Sequence, residues 1–161
     1  MKRRSAFVLL TGSLMLAAAV VALAQEPQLA PVPEGQVAVR YFRPDGEYSG
    51  WGVHFWESFE KMKDGKAAGP KDKSDRPVAD ITWNKPLMPS GKDGYGAYWF
   101  VKASEFRNGK VNYILHKGDI KEQCGKDMAW FVETQGSEVF VNRGDCNTYF
   151  KAEDAIAARK K

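Results

Sequence analysis

The chain has two histidines, His54 and His116, which lie in separate strand-like segments. No serine stands in a GxSxG nucleophile elbow, so nothing in the sequence points to a Ser-His-Asp triad. The chain has 20 acidic residues, so many pairs of carboxylates could be selected as candidates for glycoside hydrolysis. Such pairs are therefore no evidence for or against an enzyme. The sequence also contains no Gly-rich phosphate loop and no cluster with metal-ligand spacing. We therefore expect no enzymatic activity, no cofactor and no metal site.

Aromatic side chains are the other group with a chemical use, and five of them are tryptophans: Trp51, Trp56, Trp83, Trp99 and Trp130. A small domain buries its largest apolar groups first, so most of these are expected in the core. Trp51 lies on an apolar strand face and Trp99 in a wholly apolar run, so both are predicted core residues. Trp56 shares its face with His54 and is predicted to be exposed, while Trp83 is left open.

An exposed indole beside an imidazole suits the recognition of a sugar. Sugar rings have apolar C–H faces and equatorial hydroxyls, so their sites pair an aromatic platform with hydrogen-bonding groups, often charged ones. Trp56 would be the platform and His54 would supply part of the hydrogen bonding. The alternative is an exposed apolar patch that binds a protein partner and has no convergent polar groups.

Alternation of apolar residues at period two predicts the strands that would position these groups. Segments 37–42 and 51–56 alternate in this way on either side of the turn Arg43-Pro44-Asp45-Gly46. Further predicted strands are 78–83, 97–101, 110–116, 129–133, 138–142 and 148–150. Closely spaced strands with Gly-containing turns and no long amphipathic helix predict an all-β fold, an immunoglobulin-like antiparallel β-sandwich.

Three blocks of the sequence resemble a known family. They are VRYFRPDGEYSGWGVHFW, DGYGAYW from Asp93 and YILHKGD from Tyr113. In this order they are similar to the pullulanase-associated domain, the family 41 carbohydrate-binding module, over residues 36–150. The resemblance implies a non-catalytic module that binds α-glucans such as starch, glycogen or pullulan-like chains.

The resemblance also assigns polar site residues. In that family a Lys and an Asp in the loop after the ILHKGD-like strand contact the sugar, which here corresponds to Lys121 and Asp127. The spacing between them is one residue longer than the family pattern, and Cys124 lies inside it, so Lys126 stays an alternative for the lysine role. Gly118 stands where some members have a second Trp, which favours a weaker site with a single platform.

Modules of this family are generally joined to a large debranching enzyme, whereas this chain is expected to be a stand-alone module. A separate glucan-degrading enzyme is therefore a candidate partner. The rival hypothesis is an exported protein-interaction module on the same fold that has lost sugar binding.

The N-terminal segment 1–24 has the layout of a signal peptide. Lys2-Arg3-Arg4 precedes an apolar run that ends in Ala22-Leu23-Ala24. The sequence thus predicts export to the periplasm or the extracellular space, with no membrane attachment after the signal is removed. The Pro-rich residues 25–35 are predicted to form a mobile leader, and 151–161 a tail or short helix.

Charge and cysteines fit an exported binding module. Removal of the signal takes away Lys2, Arg3 and Arg4 and no acidic residue, so the formal charge falls from +4 to +1. That balance gives little reason to expect a nucleic-acid partner. Cys124 and Cys146 have no nearby Cys or His to complete a metal site, so a disulfide is favoured over two free thiols.

Overall fold

The computed structural model describes residues 27–58, 62–63, 66–67 and 76–159. The predicted signal segment 1–24 and much of the polar loop between Glu57 and Pro77 lie outside these residues. The strands are β1 Gln36–Phe42, β2 Gly52–Glu57, β3 Met62–Lys63, β4 Lys66–Ala67, β5 Arg76–Pro77, β6 Gly91–Lys92, β7 Ala97–Lys102, β8 Lys110–Lys117, β9 Ile120–Lys121, β10 Met128–Phe131 and β11 Glu138–Asn142. The helices are α1 Val132–Gln135 and α2 Ala152–Ala158, with 3₁₀ turns at Ala103–Glu105 and Gln123–Gly125.

The strands form the predicted all-β sandwich. One sheet has the order β11-β1-β7-β6, and the other has the order β10-β8-β2-β5 with β9 added to β8. The short strands β3 and β4 pair with each other. Strands β1 and β11 are parallel, whereas the other pairs between the named strands are antiparallel. No short hairpin joins β1 to β11, so the chain connection does not dictate their relative direction.

The core lies between the inward faces of the two sheets. It is built from alternating residues of β1, β2, β7, β8 and β11, as period two requires. Trp99 is fully buried and Trp51 is 5% exposed, which confirms the core role predicted for both. Trp130, on β10, is buried with them.

Segment 78–83 is not the strand that alternation predicted. Val78 and Ile81 are its buried residues, and Ile81 N donates to the Val78 carbonyl at 3.0 Å, which closes a turn. Ala79 has a φ of +49°, in the left-handed region that no regular strand uses. The turn buries two apolar residues that are three positions apart. The same segment also shows a period-two alternation, and that alternation led to the prediction of a strand.

Two other predicted strands are shorter than expected. Strand β10 ends at Phe131, where the chain enters helix α1 instead of extending to residue 133. In 148–150 only Tyr149 pairs, in an isolated bridge with Phe140. Helix α2 follows within the segment 151–161.

The leader differs from the mobile segment predicted for 25–35, because its described part is attached to the domain. Ala30 N donates to Asp93 Oδ2 at 3.0 Å, and the Ala30 carbonyl accepts from Arg40 Nη2 at 2.6 Å. Arg40 is 1% exposed and also pairs with Asp93. A buried guanidinium needs such acceptors, and the leader supplies one of them.

Candidate functional site

The outer face of strand β2 carries Gly52, His54 and Trp56, because these positions alternate with the core residues Val53 and Phe55. His54 and Trp56 are half-buried, and their ring centroids lie 5.5 Å apart with the planes tilted by 44°. The two rings therefore form an angled surface rather than a flat one.

Trp83 joins these rings from a loop, residues 82–87. Leu87 and Val53 exchange backbone hydrogen bonds of 2.9 Å in both directions, which lays the loop along β2. Gly52 permits this approach, since a Cβ at that position would lie 2.8 Å from the Pro86 ring. Trp83 is thereby placed with its ring centroid 6.1 Å from that of His54. We call Trp83, His54 and Trp56 the ring row.

His116 supports the ring row from below. It lies opposite Gly52 on the neighbouring strand β8, and Trp83 stacks on it with centroids 4.0 Å apart and planes within 9°. Because Trp83 covers it, the His116 side chain is buried although it lies on the outer face. Its Nδ1 is 2.8 Å from the Gly118 carbonyl and therefore carries the proton that it donates.

Burial disfavours the charged form of His54. Desolvation lowers the pKa of His54 from 6.5, the electrostatic interaction with His116 lowers it further, and Asp127 opposes both. A neutral imidazole offers one donor and one acceptor. Nδ1 of His54 and Nε2 of His116 have no hydrogen-bond partner within the part of the chain that is described.

The two polar residues assigned by resemblance lie at the same face. Lys121 is the cross-strand partner of His116, and its Nζ lies 5.2 Å from the centroid of the Trp83 ring. This contact favours Lys121 over Lys126 for the lysine role. Asp127 is close enough to His54 for its charge to offset part of the lowering of the His54 pKa. Both Lys121 and Asp127 are exposed.

The structure thus brings His54, Trp56, Lys121 and Asp127 together and adds Trp83, which the sequence left open. The one sequence feature that fits this position of Trp83 is the lack of a side chain at Gly52, which leaves room for a distant loop to lie against the strand. Cys124 and Cys146 are joined in a disulfide with Cα atoms 5.1 Å apart, next to this face. Among the described residues no group of three or more His, Cys, Asp or Glu side chains could hold a metal ion.

A family model described as "Bacterial pullanase-associated domain" matches residues 35–150, which is most of the chain. The chain belongs to this family. The pullulanase-associated domain accounts for both sheets of the sandwich and for every residue of the ring row. The α-amylase of Streptomyces lividans is 34% identical over 106 residues, which cover 66% of this chain and 9% of that protein.

Solved structures with the same fold include family 41 carbohydrate-binding modules from streptococcal virulence factors, described for α-glucan recognition. The match has a TM-score of 0.55 at 21% identity and covers 78% of this chain and 51% of the other. Klebsiella pneumoniae pullulanase, solved with maltotriose, matches with a TM-score of 0.59 at 21% identity, covering 86% of this chain and 13% of that one. At these identities the likeness concerns the fold. This chain is a module of the pullulanase-associated type, and it spans 9% of the α-amylase, 13% of the pullulanase and 51% of the carbohydrate-binding module chain that it matches.

No helix within the described residues is long and apolar enough to cross a membrane.

Proposed function

We propose that this pullulanase-associated domain binds α-glucan chains without catalysing a reaction on them. The observation that carries the proposal is the ring row, with an ammonium group at one end and a carboxylate beside its centre. Successive centroids in the row are 6.1 and 5.5 Å apart, so the surface is long enough to contact more than one sugar unit.

The chemistry of the face suits a sugar better than an apolar partner. The indoles would pack on C–H faces, while His54, Lys121 and Asp127 would exchange hydrogen bonds with hydroxyls. Charged partners make the stronger hydrogen bonds of such a set. A protein-interaction surface is expected to be apolar at its centre and depleted of charge there, whereas here the charged groups meet at the rings.

Binding without catalysis is supported by the charges at this face. Glycoside hydrolysis uses a pair of carboxylates that flank the scissile bond. Among the described residues, the charged groups found to act on the ring row are the ammonium of Lys121 and the carboxylate of Asp127, which is one carboxylate rather than a pair. We further propose that the chain is exported and retains glucan near a separate glucan-degrading enzyme.

Replacement of Trp56 tests the platform. Trp56→Ala should remove the retardation of the protein in native gels that contain amylopectin, glycogen or pullulan, with cellulose as the negative control. The loss of one ring contact, about 1–2 kcal/mol, is enough to abolish weak binding. The melting temperature should change little, because the indole is half-buried on the outer face.

Two variants control this experiment. Phe150→Ala removes another partly exposed ring, 38% exposed and far along the chain from the row, and should leave retardation intact. Trp99→Ala should instead destabilise the domain by about 3–5 kcal/mol through a core cavity. A Trp56→Ala protein that unfolds, or that is retarded like the parent, would move the protein-partner hypothesis ahead.

A further inference from the structure

The loop that carries Lys121 and Asp127, residues 120–127, is attached to the loop 143–148 through three consecutive side chains. We call residues 120–127 the β9 loop. The attachments are the hydrogen bonds from Gly144 N to Glu122 Oε2 (3.0 Å), from Gln123 Nε2 to Thr148 Oγ1 (2.8 Å) and to the Asn147 carbonyl (3.2 Å), and the disulfide from Cys124 to Cys146. All three attached residues lie between the two proposed sugar contacts in the sequence.

Gln123 is the buried centre of this attachment. It is 1% exposed, whereas Lys121, Cys124 and Asp127 are exposed. Burying an amide is unfavourable unless hydrogen bonds compensate it. The Nε2 group of Gln123 obtains its hydrogen bonds from the opposite loop rather than from its own, while Oε1 has no hydrogen-bond partner within the described residues.

The backbone at the attachment has an unusual conformation. Gln123 and Cys124 have φ values of +51° and +59°, in the left-handed region that side-chain-bearing residues seldom adopt. Such a conformation persists where the surrounding structure enforces it, often at ligand-binding sites. Hydrogen bonds from Gly125 N to the Glu122 carbonyl and from Lys126 N to the Gln123 carbonyl close turns at this point between Lys121 and Asp127.

An exposed lysine on an untethered loop would lose much conformational freedom when it contacts a ligand. Fixing the loop before binding removes part of that cost. The contact of Lys121 with the Trp83 ring is already made in the free protein. Attachment of the β9 loop before binding would therefore favour affinity, beyond its contribution to the stability of the fold.

We propose that Gln123, together with the Cys124–Cys146 disulfide, is a positioning unit that holds Lys121 and Asp127 at the ring row before glucan binds. The proposal rests on the proposed function, since it assigns a role to residues next to the same site. It differs from a purely structural role because its effect must pass through Lys121 and Asp127.

The test compares the parent, Gln123→Met and the double variant Cys124→Ser/Cys146→Ser. Gln123→Met retains the buried volume without the amide donors, so the test does not depend on the serine variant folding. Amide hydrogen exchange of the ligand-free proteins should be faster across 120–127 and unchanged in β1 and β7. Affinity for glycogen, measured by gel retardation, should fall about tenfold, because the loop must then be ordered on binding.

A double-mutant cycle separates positioning from stability. In a Lys121→Ala/Asp127→Ala background, Gln123→Met should cause no further loss of affinity, because the groups that it positions are gone. Val139 is fully buried in β11 of the other sheet. Val139→Ala should therefore lower the melting temperature without changing the affinity for glycogen.

The outcomes distinguish the two proposals. If the parent binds no α-glucan, the proposed function fails and the positioning role falls with it. If the parent binds, and Gln123→Met and Cys124→Ser/Cys146→Ser bind equally well, only the positioning role is overturned. It is likewise overturned if exchange across 120–127 is unchanged, or if Gln123→Met costs as much affinity in the Lys121→Ala/Asp127→Ala background as in the parent.

Discussion

At the scale of single residues, the site consists of ordinary side chains whose properties are set by their neighbours. His116 is a buried imidazole because Trp83 lies on it at 4.0 Å, and the pKa of His54 is lowered because burial and His116 both disfavour its charged form. Lys121 is directed to the Trp83 ring because it pairs with His116 across two strands. The sequence identified His54 and Lys121 by type and by resemblance, but their electrostatic state depends on contacts between distant segments.

The lowered pKa of His54 has a consequence for stability. The unfolded chain keeps the ordinary pKa near 6.5, while the folded protein has a lower value, so the unfolded state binds the proton first as the pH falls. The contribution of His54 to the free energy of unfolding is therefore fully present above the pKa of the unfolded chain. It decreases as the pH falls from there toward the lower pKa of the folded protein.

Thermal unfolding at about pH 7.5 and about pH 5.5 checks this expectation. When the pH is lowered from the first value to the second, the parent should lose more of its free energy of unfolding than His54→Gln, which has no titratable group at position 54. Equal losses in the two proteins would show that His54 does not couple protonation to folding.

At the scale of elements, the decisive arrangement is the loop 82–87 lying on strand β2. Leu87 pairs with Val53 and Pro86 lies over Gly52, so the loop delivers Trp83 to the outer face. Without this packing the ring row would contain His54 and Trp56 alone, which is the single platform that the sequence predicted.

Gly52→Ala should therefore disturb the site through an element rather than through a site residue. The added Cβ would lie 2.8 Å from Pro86 and 3.0 Å from the Leu87 carbonyl, so the loop must move away from β2. Overpacking of this kind costs about 1–3 kcal/mol. Glucan retardation should weaken, and the intrinsic fluorescence should report a changed environment of Trp83.

Gly94→Ala is the matched control for this change. Its Cβ would approach the backbone of Gln28 in the leader to within 2.8 Å, an equally close contact away from the ring row. It should lower stability without weakening glucan retardation. If Gly94→Ala and Gly52→Ala reduce binding equally, the effect of Gly52→Ala is general destabilisation.

At the scale of the whole molecule, the two sheets have separate tasks. The sheet β10-β8-β2-β5 presents the ring row on its outer face, while the sheet β11-β1-β7-β6 holds the leader through Arg40 and Asp93. The disulfide joins the β9 loop of the first sheet to the segment after β11 of the second. Export, as proposed, would provide the oxidising surroundings in which such a bond persists.

Export predicts a defined mature chain. The protein recovered from the periplasm or medium of an expressing cell should begin at Gln25, because the small residues at Ala22 and Ala24 fit signal cleavage. N-terminal sequencing together with intact mass measurement checks this. Exported protein that retains Met1 would contradict it.

The sequence alone determined the properties that depend on local patterns. Period-two alternation placed β1 and β2 and directed Trp51 inward, because side-chain direction in a strand follows from the backbone geometry of neighbouring residues. The wholly apolar run 97–101 placed β7 and the core residue Trp99. The close spacing of the strands predicted the sandwich fold, and the resemblance to the family pointed to Lys121 and Asp127.

Tertiary structure decided what depends on contacts between segments far apart in the chain. The docking of Leu87 on Val53 and the stacking of Trp83 on His116 have no local signature, since each forms only when two distant segments meet. The same holds for the parallel pairing of β1 with β11 and for the attachment of Gln123 to Thr148. Long-range packing overrode the alternation in 78–83, because burying Val78 and Ile81 together required a turn rather than a strand.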